Sequence, residues 1–143
     1  MLTFHATLHA RPALPLPTRS VELNGATYQA IDPSTELLAT PFDLSFEEVY
    51  VALERLPRMY IEPDGSFVWT SSVGKTSWQL DGVLYDRAQR LLHVDLKGTC
   101  LSEVLDRLLM ALGWPARAIL FEVVREGVFL EEAEFRRYAS GNA

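Results

Sequence analysis

The segment RLLHVDLKG, residues 90–98, constrains the fold most, because the chemistry of its side chains alternates with a period of two. In an extended chain Leu92, Val94 and Leu96 share one face, and His93, Asp95 and Lys97 share the other. Such clean alternation predicts an antiparallel sheet that is covered on one side only. The segment SWQLDGVLY, joined to it through the polar turn Asp86–Gln89, supplies a hairpin partner.

A greasy sheet face needs helices to cover it, and two segments have the helical period. In SFEEVYVALERL, Ser45 and Glu48 stand at capping-box spacing, Phe46, Val49, Tyr50, Leu53 and Leu56 form one stripe, and Pro57 ends the run. In CLSEVLDRLLMALGWP, Leu101, Val104, Leu105, Leu108, Leu109 and Leu112 keep the same period, with Gly113 as the left-handed cap and Pro115 barring continuation.

The remaining segments add strands and one more helix. RMYIEPDGSFVWTS reads as a hairpin around Pro63-Asp64-Gly65, where proline presets one turn angle and glycine accepts a positive φ. LTFHATLHA and SVELNGATYQAI each read as a strand, joined by the extended, proline-rich RPALPLPT. RAILFEVV reads as a buried strand, and LEEAEFRRY as a helix with glutamates early and Arg136 and Arg137 late, the order its dipole favours. The order is two strands, a helix, two hairpins, then helix, strand, helix. Clustered strands of this kind predict α+β: one domain over residues 1–143, mainly antiparallel sheet, with two amphipathic helices on one face and a short C-terminal helix. At 143 residues such a chain buries about 70% of its unfolded surface, enough for a core without a cofactor or disulfide.

Charge and cysteine usage narrow the partners. The formal net charge is −6, spread along the chain, which repels phosphate backbones and anionic lipid and argues against nucleic-acid or membrane partners. Cys100 is the sole cysteine, so no intrachain disulfide forms, as suits a reducing compartment. The first residues lack a basic leader and no 18 apolar residues run together, so a cytoplasmic, soluble protein is expected.

Four motifs bear on chemistry. Gly74-Lys75-Thr76 resembles the end of a phosphate loop, but Trp69 stands where the first glycine is needed and a strand follows in place of a helix, so a solvated connection is expected. In HVDLKGTC, His93 and Asp95 share a strand face, and Cys100 lies near a helix start that would favour its thiolate. This is the sequence's best candidate for a small enzyme or ligand-binding site, although Lys97-Gly98-Thr99 separates base from nucleophile. His5, His9 and His93 are candidate zinc ligands. Four residues of strand hold His5 and His9 roughly 13 Å apart at their origins, too far for one ion, so no metal or other cofactor is expected. Pro12 and Pro15 suggest a polyproline ligand, but the spacing from Arg11 is wrong and a semi-rigid linker fits better.

The last clue is aromatic. Tyr60, Trp69, Trp78 and Tyr85 crowd the hairpin region, more than two or three helices readily cover. Either another chain covers one face, as in a homodimer or a complex with a partner protein, or the N-terminal strands and final helix do. The expected function is that of a small acidic protein-interaction or adaptor module, with no catalytic residues assigned.

Overall fold

The computed structural model describes residues 1–33, 35–71 and 77–141. In chain order its elements are β1 (Leu2–Ala10), β2 (Thr18–Leu23), β3 (Ala26–Ile31), α1 (Thr35–Ala39), α2 (Phe46–Glu54), β4 (Met59–Ile61), β5 (Ser66–Thr70), β6 (Gln79–Arg87), β7 (Arg90–Cys100), α3 (Ser102–Ala111), β8 (Ile119–Val123), β9 (Val128–Glu131) and α4 (Glu132–Gly141). The strands form one sheet in the order β2-β3-β9-β8-β1-β7-β6-β5-β4, with every neighbouring pair antiparallel. The architecture is α+β, as the clustering of strands predicts.

The first strand lies in the middle of this sheet. β1 pairs with β7 on one side and β8 on the other, and its register sets Ala6 opposite Leu96 and Leu8 opposite Val94. These residues face inward, together with Phe121, Leu130, Leu80 and Trp69, and all are buried. The three longer helices cover them: Val49 and Leu53 of α2, Leu105, Leu108 and Leu109 of α3, and Phe135 and Ala139 of α4 join the same apolar cluster. Phe135 stacks on Phe121 at 4.2 Å between ring centroids and meets Phe4 edge-on at 5.0 Å, which seats α4 beneath the centre of the sheet.

The capping box of α2 forms as its spacing predicts. Ser45 Oγ accepts the Glu48 backbone N–H at 3.0 Å, and the Ser45 N–H donates to Glu48 Oε1 at 3.1 Å, an arrangement that stabilises the helix by about 1 kcal/mol. Helix α3 has no side-chain cap. Arg136 of α4 ties it down instead, bonding the carbonyl and hydroxyl of Ser102 and the carboxylate of Asp106. Gly113 ends α3 at φ +96°, and the Trp114 N–H returns to the Leu109 carbonyl at 3.1 Å.

Two hairpins depart from the sequence reading. SVELNGATYQAI is not one strand but two, reversed at Asn24-Gly25, whose φ values of 51° and 81° are those of a two-residue hairpin turn. Leu130 and Glu131 do not begin the last helix; they end β9, which pairs with β8 and puts Leu130 opposite Phe121. The Ala88-Gln89 turn between β6 and β7 has φ of 51° and 70° without any glycine.

Close packing of β5 on β6 requires a glycine. Gly82 faces inward opposite Phe67, and a Cβ added there would lie 2.1 Å from Phe67 Cζ. We expect Gly82→Ala to cost about 1–3 kcal/mol, read as a lower urea midpoint with an unchanged slope. An unshifted midpoint would mean that the Phe67 ring swings clear at no cost.

Candidate binding face

The register that turns the apolar residues of β1 and β7 inward turns Thr3, His5, Thr7 and His9 outward, opposite Thr99, Lys97, Asp95 and His93. The linker between β1 and β2 covers one part of this outer face: Leu16 packs against Ile31, Leu120 and Phe129, a small apolar cluster separate from the main core. Beside it a row of rings crosses the sheet. Phe129 of β9 lies 5.6 Å from His9 of β1, His9 lies 5.7 Å from His93 of β7, and His93 lies 4.7 Å from Tyr85 of β6, all between ring centroids.

Polar partners order these histidines. His9, only 6% exposed, holds Glu122 Oε1 of the adjacent strand at 3.0 Å from its Nε2. His5 reaches Asp95 Oδ1 at 3.1 Å. Burial is the largest influence on His93 and lowers its pKa; neighbouring His9 lowers it further, and Asp95 and Glu122 partly oppose them.

The His93, Asp95 and Cys100 constellation does not assemble. His93 and Asp95 do share the outer face, but Cys100 pairs with Leu2 on the inner face and is 0% exposed. Burial pushes the Cys100 thiol up to about 12, the reverse of what a helix start would do to a nucleophile. A base on one face of a sheet cannot take a proton from a thiol on the other.

The aromatic set divides in the same way. Trp69 is 0% exposed on the inner face, where its Nε1–H donates to the Pro57 carbonyl at 2.9 Å, and half-buried Trp78 meets it edge-on at 5.0 Å. Trp69 belongs to the core and offers no docking surface, whereas Trp78 packs against that core and keeps part of its ring exposed. Tyr60 and Tyr85 stand on the outer face, 70% and 44% exposed. Gly74-Lys75-Thr76 lies outside the described residues. Arg11 pairs with Glu131, and its backbone N–H meets the Ala118 carbonyl at 3.2 Å, so the proline-rich segment is seated on the fold at its start.

Sequence reasoning located His5, His9 and His93 but not the contact between His9 and His93, and it passed over Glu122 and Phe129. Alternation in LHA and LFEVV was the available signal; the register that joins them was not. Among the described residues no three His, Cys, Asp or Glu side chains converge as a metal site, and no helix is long and apolar enough to cross a membrane. Comparison with protein-family models, curated proteins and solved structures found no match.

Two measurements check this geometry. Cys100 should react with a disulfide reagent only as fast as the chain opens, and rapid stoichiometric labelling in native buffer would show its end of β7 to be open. For His93, the folded chain holds its proton less tightly than the unfolded chain does, so the stability linked to it is fully present above the ordinary value of 6.5 and declines as pH falls below it. NMR titration should place its midpoint below 6.5, and His93→Gln should flatten the fall in stability below that pH. A midpoint at or above the ordinary value would contradict the desolvated position.

Proposed function

We propose that the chain is a cytoplasmic binding module whose outer sheet face receives a basic surface of a partner protein. The composition of that face carries this reading. Among the described strand residues, Glu22, Asp81, Asp95, Glu122 and Glu131 lie on it, against Lys97 and, at the tip of the β6–β7 hairpin, Arg87 and Arg90; Arg11, just past β1, pairs with Glu131. Exposed Tyr60, Val68 and Tyr85 lie among threonines and serines on the same face. Aromatic anchors within a polar, carboxylate-rich surround suit a partner with a basic surface, recruited by electrostatic steering and held by ring burial.

The same charge disfavours two other partners. Two copies docked face to face would bring like patterns of carboxylates together, and a nucleic-acid backbone would meet those same carboxylates. A single buried cysteine and no disulfide suit the reducing cytoplasm.

Affinity capture from the native cell tests the proposal, with wild type compared against Tyr60→Ser/Tyr85→Ser and, as a control at the exposed α3 residue, Met110→Ser. A partner with a basic surface should be held by wild type and control, be released as salt rises, and be lost by the tyrosine variant. The same proteins retained by all three, or an acidic partner, would overturn it.

A further inference from the structure

We infer that His9 and His93 form a two-histidine site for a borderline first-row divalent ion such as zinc, with Glu122 orienting the first ligand and the remaining coordination positions open. The pair is directly opposed across β1 and β7, so neither side chain must reach for the other. Two imidazoles bound to one tetrahedral zinc through bonds of about 2.0–2.1 Å place their ring centres roughly 5–6 Å apart. Here the centroids are 5.7 Å apart and the rings are tilted by 45°.

The hydrogen-bond pattern suits metal binding. A carboxylate that accepts the Nε2–H of a histidine fixes the tautomer and leaves the Nδ1 lone pair for a metal, and Glu122 stands where it would do this for His9. No protein group bonds His9 Nδ1 or either ring nitrogen of His93 among the described residues, and none of these atoms is sealed from solvent. Phe129 and Tyr85 flank the two rings as apolar walls, and the nearby carboxylates of Glu122 and Asp95 favour a dication. With no third protein ligand converging, water or a partner's side chain would complete the shell, which keeps the site open on the face proposed to bind.

His5 provides the internal control. It lies on the same face of the same strand but is committed to Asp95 at 3.1 Å and stands opposite Lys97, a cation that opposes a dication there.

The test is calorimetric titration of untagged protein with zinc chloride, with far-UV circular dichroism confirming that each variant folds. Wild type and His5→Gln should take up one ion per chain saturably. His93→Gln, at a half-buried position that tolerates an amide, should abolish saturable uptake, and Glu122→Gln should weaken it about tenfold. Copper(II) in place of zinc should show the hyperfine coupling of two nitrogens by electron paramagnetic resonance, reduced to one in His93→Gln. His9→Gln should also lose uptake; if it does not fold, the His93 variant and the nitrogen count decide. No saturable uptake by wild type, uptake retained in His93→Gln, or uptake lost in His5→Gln would each overturn the site.

Discussion

The pairing of β1 with β7 is the constraint on which the rest of the structure depends. It joins residues about ninety apart in sequence, places the first strand at the centre of the sheet, and in one register assigns each side chain of both strands to core or surface. A slip of one residue in β1 would turn Leu8 outward and His9 toward the helices, burying an imidazole away from Glu122. The register is therefore held by the cost of the alternative as much as by its own contacts. Because this pair closes most of the chain into a loop, local hairpins such as β6–β7 and β2–β3 have a kinetic advantage, and β1 can join only once β7 offers an edge.

What could be read in advance follows from how local each cause is. The α2 capping box, the Pro63-Asp64-Gly65 turn and the alternation in β7 are decided within a few residues, and each is found where the pattern puts it. The Asn24-Gly25 turn was equally local and was missed because the flanking alternation is weak: TRSVEL forms an edge strand with little to bury, so no greasy face marks where one strand ends. β9 was missed for a different reason. Its Val128-Phe129-Leu130 run is buried on both faces, on the outer one by Leu16 from a segment more than a hundred residues earlier, so neither period shows.

The candidate site divides on the same line. Residues 93 and 100 are an odd number apart on one strand, and parity alone places them on opposite faces once β7 is known to run through Cys100. The sequence reading ended that strand at Gly98 and so left the cysteine free to meet the histidine. Gly98 does interrupt the pattern, at φ +145° and pressed against the Gln79 carbonyl, yet the ladder continues past it for two more residues. The meeting of His9 with His93 has no such local trace, because it depends on which of many strands becomes the neighbour of β1.

An uncovered sheet face and two free edges invite unwanted association, and the structure limits both. β4, at one edge, is three residues long and offers little backbone for a foreign strand. β2, at the other, exposes the charged side chains of Arg19 and Glu22. On the face itself, charged side chains surround the exposed rings, while Leu16 and the linker shield its most apolar corner. What stays exposed is the tyrosine and histidine part of the ring row, whose polar atoms water satisfies until something better arrives. Exposed rings set among charged and hydroxyl side chains keep such a face hydrated when alone, and leave the rings as the groups with most to gain from burial.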